Sequence, residues 1–293
     1  MERAEKIAVT PVHLAGAHMG MLQGIDLLAQ EIIVPLVDQR KPLALRETAF
    51  VLLFYRLVGL AKSTILLNHI KHQQTLTAME RLALEILVDL KLLHENVFPD
   101  GVERIYAFSD FQKLKAARRT VEFFDNNPSL DTKPSKATVQ RDFIAAHGAR
   151  IEAQARRLWG KSGVQKLRID HWSALAVPER IKKLDIHTQQ LVIEGYDMRN
   201  FAAHTGMAGI LNIERSGFEA MCAFALTNIA ITALEAVRML SKELDFARDV
   251  DVFDRILESF DELPVWAVAD QMLRSQGEPQ RYFLHPGAAP ESK

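Results

Sequence analysis

Cysteine is almost absent from this sequence, since Cys222 is the single cysteine among 293 residues. One cysteine excludes an internal disulfide and any zinc site built from several thiolates, and it is typical of proteins in a reducing compartment. Glycine and proline are also scarce: 14 and 11 residues make up about 9% of the chain, against roughly 12% on average. Because both residues interrupt helices, their scarcity favours a helical protein.

Net charge and long apolar runs are lacking as well. The formal net charge is −1, which excludes a uniformly basic surface for nucleic acid but not a local basic face. Residues 1–24 contain no unbroken apolar stretch of the kind that targets a chain for export. The most apolar window, 43–67, carries four charged side chains, so we expect it not to cross a membrane. These absences predict a soluble, cytoplasmic protein with no membrane partner.

Apolar residues recur at helical spacing along most of the chain, and no stretch alternates convincingly with the two-residue period of a β-strand. The pattern predicts an all-α fold, a multi-helix bundle. Pro42 is expected in the first turn of one helix, and the Thr77–Glu80 capping-box pattern is expected to open the next. Further helices are expected near 109–124, 136–160 and 179–205. The segment 218–240 is apolar on most sides, which predicts a long central helix toward the C-terminus.

Two stretches that are poor in apolar residues suggest the domain organisation. Residues 126–136 are polar and are interrupted twice by proline, which predicts a loop. The last residues are rich in glycine and proline, which predicts a flexible tail over 276–293. We therefore expect a single all-helical domain over 1–275 that contains the loop near 126–136.

Charge is unevenly distributed along the chain. Residues 111–170 contain 13 basic and 6 acidic side chains, a local net charge of +7, whereas residues 241–270 contain 3 and 9, a local net charge of −6. A basic segment can attract a phosphate backbone. The same distribution also fits two segments that face each other, or two solvated helix faces, and the sequence leaves these alternatives open.

Motifs for metal binding and nucleophilic catalysis are lacking. Ten histidines are present, but none follows a glutamate at the spacing used in di-iron bundles, and no His-Glu-x-x-His occurs. His69 and His72 could share a helix face, yet two neutral ligands without a carboxylate make a poor site. Cys222 lies in the most apolar segment, where a thiol stays protonated and unreactive. We therefore expect no metal and no cofactor.

The segment from Tyr196 to Gly206 carries the most suggestive chemistry. Arg199 and His204 are separated by four residues, and the polar Asn200 directly follows the arginine. Tyr196, Asn200 and His204 are four residues apart and would share one helix face. Arg199 would lie about 140° from His204 around a straight helix. The arginine would therefore have to reach around the helix or act on the site of a partner subunit.

The Arg-x4-6-His spacing is not specific by itself. About two such pairs are expected by chance in a chain with 21 arginines and 10 histidines, and the sequence contains three. The others are Arg141–His147 and Arg180–His187. The Tyr196 spacing, the polar residue after the arginine, the following glycine and the position before the long apolar segment favour Arg199–His204. Arg141–His147 lies in the basic segment and remains a rival.

This pattern resembles the motif of the HEPN superfamily, all-helical proteins in which it forms a metal-independent ribonuclease centre. Arg81 and Glu85 on an earlier predicted helix, together with Trp159, add to a likeness to a bacterial HEPN-like family over roughly residues 45–240. The resemblance implies a HEPN-like fold and an endoribonuclease that serves as a toxin or an anti-phage defence effector. It also implies RNA as substrate, a homodimer in which two motifs meet, and an antitoxin or defence-system partner protein.

The resemblance assigns a role to each residue of the motif. His204 would transfer the proton of the ribose 2′-hydroxyl, and Arg199 would stabilise charge on the nonbridging phosphate oxygens. Asn200 would orient the phosphate or the imidazole, and Tyr196 would support the site. Gly206 stands where superfamily toxins that are regulated by a nucleotidyltransferase often carry tyrosine, which argues against inhibition by modification.

Alternatives without catalysis remain open. Arg81 and Glu85 are placed to support the site, but a pair four residues apart also fits a structural salt bridge. Arg199 could pair with a nearby acidic residue, and His204 could be a polar residue at a helix end. The alternative function is a non-catalytic all-helical module for dimerisation or sensing in a bacterial defence or regulatory system.

Overall fold

The computed structural model describes residues 20, 22–67, 72–131, 135–160, 169–193 and 215–245; the side chains of residues 73, 215–221, 223 and 224 are not described. Within these ranges the regular elements are helices, and no strand occurs. The predicted all-α, multi-helix fold is therefore confirmed.

The helices follow one another with short connections. α1, residues 22–28, continues through a π-helical turn, Ala29–Ile33, into α2, Val34–Gln39. The longer helices are α3, Leu45–Leu66; α4, Gln73–His94; α5, Gly101–Asn126; α6, Lys136–Trp159; and α9, Arg215–Glu243. Between the last two lie α7, Val177–Ile181, and the described part of α8, residues 186–193.

The chain divides into two compact units. Unit 1 comprises Met1–His94 and Leu184–Lys293, and unit 2 comprises Glu95–Lys183. The expectation of one domain over 1–275 stays a prediction, and the tail over 276–293 lies outside the described residues.

Unit 1 is organised around α3, α4 and α9, each of which packs against the other two. Apolar side chains of α4 are fully or almost fully buried in this core: Leu84, Leu87, Val88 and Leu92. α9 contributes small buried side chains that let neighbouring helices approach closely: Ala225, Ala230, Ala233 and Ala236. The long central helix predicted over 218–240 is thus confirmed, with bounds that extend three residues further at each end.

Unit 2 is built on the packed pair α5 and α6. The residues predicted as a loop connect them and contain a short 3-10 turn, Pro128–Leu130. Ser135 caps α6, since its Oγ accepts a hydrogen bond from the backbone N–H of Thr138 at 3.1 Å. Buried apolar residues of both helices form the core with Ile169: Ala107, Phe111, Leu114, Ile151, Ala155, Leu158 and Trp159.

Two helix starts differ from the sequence expectations. α3 begins at Leu45 rather than at Pro42, because the carboxylate of Glu47 accepts a hydrogen bond from the N–H of Ala44 at 2.8 Å and caps the helix there. The capping-box prediction for Thr77–Glu80 is wrong: α4 already begins at Gln73, and both of these polar side chains are fully buried inside it.

Two other helices also have different bounds. α5 begins at Gly101, eight residues earlier than expected, directly after a turn in which the N–H of Gly101 donates to the carbonyl of Phe98 at 2.9 Å. The single helix expected over 179–205 is interrupted at residues 182–185. Asp185 accepts a hydrogen bond from the N–H of Thr188 at 2.9 Å and thereby starts α8 as a separate helix.

α3 is long and apolar enough, by length and composition alone, to cross a membrane. The sequence argument from charged residues was therefore too strong, because the most apolar part of the helix carries only Arg56 and Lys62. The same composition fits the core helix of a water-soluble protein, and the buried side of α3, including Phe50 and Phe54, packs into unit 1. Cytoplasmic location stays a prediction.

Candidate functional site

The residues on which the ribonuclease hypothesis depends most lie outside the described part of the chain. These are Tyr196, Arg199, Asn200 and His204. α8 is described as far as residue 193, and the description resumes with α9 at Arg215. The geometry of this motif stays a prediction, whereas the other candidate residues can be placed.

The rival motif lies on the exposed side of α6 in unit 2. The guanidinium of Arg141 pairs with the carboxylate of Asp125 on α5, whereas the ring of His147 packs against Phe143 with centroids 5.2 Å apart. Six residues of α-helix correspond to about 9 Å of rise and about 120° of rotation, so the two side chains leave α6 in different directions. The structure gives Arg141 and His147 separate partners.

The third Arg-His pair is divided between the units. Arg180 is 5% exposed in unit 2, and its Nη1 donates a hydrogen bond to Nε2 of His171 at 2.8 Å. His187 belongs to unit 1. The histidine that Arg180 contacts is therefore not the one at the motif spacing.

Much of the positive charge of residues 111–170 is paired between α5 and α6. The ion pairs that join the two helices are Arg118 with Glu152, Arg141 with Asp125, Arg150 with Asp110 and Arg157 with Glu103. The basic side chains of these pairs are 48–64% exposed, so each pair contributes little to stability. This pattern favours solvated, mutually neutralised helix faces over an open phosphate-binding surface.

The supporting pair of the sequence analysis forms on α4. Nε of Arg81 lies 3.3 Å from Oε1 of Glu85, and the two side chains are 25% and 35% exposed. A pair at this spacing adds about 0.2–0.5 kcal/mol to a helix. The contact fits a structural salt bridge, and its support of an RNA site stays a prediction.

A cluster that the sequence analysis missed joins the ends of α3, α4 and α9 in unit 1. Nε and Nη2 of Arg46 donate to the two carboxylate oxygens of Glu243, each at 2.8 Å, in a bidentate pair. Nδ1 of His94 lies 3.0 Å from Oε1 of Glu243. Nη2 of Arg46 also donates to the carbonyl of Leu93 at 2.9 Å, where α4 ends. The Arg46 guanidinium lies 5.3 Å from the ring centroid of Phe50.

The electrostatics of this cluster favour the ionised carboxylate. Burial by itself would raise the pKa of Glu243, but the hydrogen bonds from Arg46 and His94 outweigh burial and lower it below its usual value. Because Glu243 is only 13% exposed and already binds both partners, the cluster serves better as an anchor of three helix ends than as a proton-transfer site. Arg46 and Glu243 are 197 residues apart, so no local spacing could have revealed the pair.

A second missed feature is a fully buried carboxylate in the core of unit 1. Glu80 on α4 accepts a hydrogen bond from the side-chain amide of Asn228 on α9. Thr64, Thr77 and Thr232 are also fully buried polar residues of this core. A buried carboxylate needs hydrogen-bonded partners because burial disfavours its charge. Among the residues described here, no group of three or more His, Cys, Asp or Glu side chains is placed to hold a metal ion.

A third cluster precedes α7 in unit 2. His171 receives the hydrogen bond from Arg180 at Nε2, and because a guanidinium can only donate, the imidazole carries its proton on Nδ1. Nδ1 lies 2.8 Å from Oγ of Ser173. Ser173 is only 3% exposed, so its hydroxyl cannot meet a substrate. The indole N–H of Trp159 donates to the carbonyl of Trp172 at 2.9 Å, which ties this loop to α6.

Comparison with known proteins places the sequence in relation to one family. A model described as a family of unknown function (DUF5677) matches residues 47–219, more than half of the chain. The matched range includes the Arg199–His204 motif, the rival motif and the Arg81–Glu85 pair. No curated protein and no solved structure matches the chain.

Proposed function

The chain belongs to the DUF5677 family, and we propose that it is a cytoplasmic, metal-independent endoribonuclease that acts as a toxin or an anti-phage effector. Arg199 and His204 form the catalytic pair, Asn200 orients the phosphate or the imidazole, and Tyr196 supports them. The observation that carries the proposal is the spacing of these residues in the segment before α9, which resembles the HEPN motif. As in that superfamily, the active form is a homodimer whose two motifs meet, and an antitoxin or defence partner restrains it.

The described residues support the choice among the three Arg-His pairs. In the rival pair, Arg141 is engaged by Asp125 and His147 by Phe143. Arg180 contacts His171 inside unit 2. Both arginines have partners other than the histidine at the motif spacing, which leaves Arg199 and His204 as the pair available for catalysis.

The chemistry requires one proton acceptor and one cation. His204 removes the proton from a ribose 2′-hydroxyl, and the resulting oxygen attacks the adjacent phosphorus. The bond from phosphorus to the 5′-oxygen breaks, and the leaving oxygen takes up a proton. The products are a 2′,3′-cyclic phosphate and a free 5′-hydroxyl. The planar guanidinium of Arg199 stabilises the negative charge that accumulates on the nonbridging oxygens.

The alternative function, a non-catalytic dimerisation or sensing module, is favoured by one observation. The basic side chains of α5 and α6 are largely paired with acidic side chains of the same two helices. A surface neutralised in this way attracts a phosphate backbone less strongly than the local net charge of +7 suggests.

Replacement of one imidazole distinguishes the two functions. We expect His204→Ala to reduce cleavage of a single-stranded RNA by at least about 100-fold, the usual contribution of a general acid or base. His147→Ala, which removes an exposed imidazole from α6, is the matched control and should cleave like the parent. Cleavage is measured in chelator from the cyclic phosphate ends, and folding by circular dichroism. An active parent with an equally active His204→Ala variant excludes the assigned site, and an inactive parent favours the non-catalytic module.

A further inference from the structure

The outward face of α3 presents an apolar stripe with a seven-residue repeat. Leu45, Leu52 and Leu66 are 68%, 58% and 84% exposed, and Gly59 occupies the remaining position of the series. A Cβ atom added to Gly59 would meet nothing within 4 Å, so the backbone is open to close approach at this point. Apolar residues repeated every seven positions are the pattern by which one helix packs along another. We call these four residues the α3 stripe.

The surroundings of the α3 stripe are basic. Arg56 is exposed between Leu52 and Gly59. Lys62 is 48% exposed and pairs with Asp26 at 2.8 Å. Glu47 is the single acidic residue of α3, and its carboxylate is bound to the N–H of Ala44. A partner helix for this face should therefore combine apolar and acidic side chains.

The chain leaves α9 next to the beginning of the α3 stripe. Glu243, the last residue of α9, binds Arg46 in the first turn of α3 at 2.8 Å. Asp245 has a φ of 49°, the left-handed conformation that ends helices and redirects the chain. The next residues thus start close to Leu45, and each can advance by as much as about 3.3 Å.

The sequence that follows has the complementary composition. Residues 249–262 contain six acidic side chains and one basic side chain, a net charge of −5. Their large apolar residues recur at helical spacing: Phe253, Ile256, Leu257 and Phe260. A helix of 14 residues is about 21 Å long, shorter than the roughly 33 Å of α3, and Pro264 would end it.

We propose that residues 249–262 dock as an amphipathic helix on the α3 stripe of the same chain. Their apolar face covers the leucines, and their acidic side chains lie beside Arg56. The position of Glu243, the left-handed turn at Asp245 and the opposite charges of the two faces support this occupant over an unrelated protein.

Photo-crosslinking tests the contact in the full-length chain. A benzophenone amino acid is placed at position 52, or, as a control, at position 130, because Leu130 is 57% exposed on unit 2. We expect irradiation to link position 52 to the peptide 249–262 within one chain, and position 130 to give no such product. A position-52 product that joins two chains would assign the stripe to a second copy, and the absence of any adduct with 249–262 would show that the segment docks elsewhere; either overturns the proposal.

Hydrogen exchange provides an independent measurement. In the parent we expect the amides of 249–262 to be protected, and in a Leu52→Asp, Leu66→Asp variant we expect this protection to be lost while α4 and α9 exchange as before. Leu130→Asp should leave the protection unchanged. A segment that is unprotected in the parent, or equally protected in the double variant, contradicts the docking, and retained α4 and α9 protection shows that the variant is folded.

Discussion

Removal of the Arg46 guanidinium should destabilise unit 1 measurably. Arg46→Ala deletes two hydrogen bonds to the carboxylate of Glu243 and one to the carbonyl of Leu93. Hydrogen bonds to charged groups contribute about 1.5–3 kcal/mol each, but the Arg46 side chain is 34% exposed, so solvent screening reduces the total. We expect the free energy of unfolding to fall by about 2 kcal/mol.

Urea unfolding followed by circular dichroism measures this loss. Arg119→Ala, which removes an exposed arginine from α5, is the control and should change the free energy of unfolding by less than about 0.5 kcal/mol. A double-mutant cycle with Glu243→Ala isolates the contribution of the pair. A loss for Arg46→Ala no greater than that for Arg119→Ala would refute the reasoning that this cluster anchors the three helix ends.

The same cluster predicts a pH dependence of stability. The pKa of Glu243 is lowered in the folded chain relative to its usual value of 4.5. A lowered folded-state pKa contributes stability that is complete above the unfolded-state pKa and is lost as pH falls through the folded-state value. We therefore expect the parent to lose more stability than Glu243→Gln when the pH is lowered from 7 to below about 4.5. Parallel pH profiles would contradict this assignment.

Two further substitutions test buried hydrogen bonds. Trp159→Phe keeps most of the ring volume but removes the donor to the Trp172 carbonyl at 2.9 Å, and it should lower the free energy of urea unfolding by about 1–2 kcal/mol; no change would show that this bond does not hold the loop before α7. Asn228→Leu removes the amide that donates to the fully buried Glu80 carboxylate, and it should cost about 2 kcal/mol in the same assay; a variant as stable as the parent would contradict the role of this pair.

Helix positions were predictable where local sequence alone decides them. The polar stretch at 126–136 separates α5 from α6, and Ser135 caps α6 as a serine before an apolar-periodic segment should. The start of α4 was not predictable in the same way. Thr77 and Glu80 have the spacing of a capping box, but the packed neighbours of α4 bury both side chains and the helix continues to Gln73.

The candidate sites divide along the same line. The spacing of Arg199 and His204 is a property of adjacent residues and could be recognised from the sequence, as could the Arg81–Glu85 pair. The Arg46–Glu243–His94 cluster could not, because its members come from three helices that are far apart in the chain. The local excess of basic residues was visible in the sequence, but its pairing across α5 and α6 was not.

The sequence by itself determined the all-α class and the long helix near the C-terminus, because apolar periodicity and scarce glycine and proline act through neighbouring residues. Only the tertiary structure decided which charges meet and which side chains are buried. Glu80 is written as a capping residue and becomes a buried partner of Asn228, and Arg141 is written as half of a motif and becomes the partner of Asp125. Contacts between distant helices depend on how the helices pack, and no short segment contains that information.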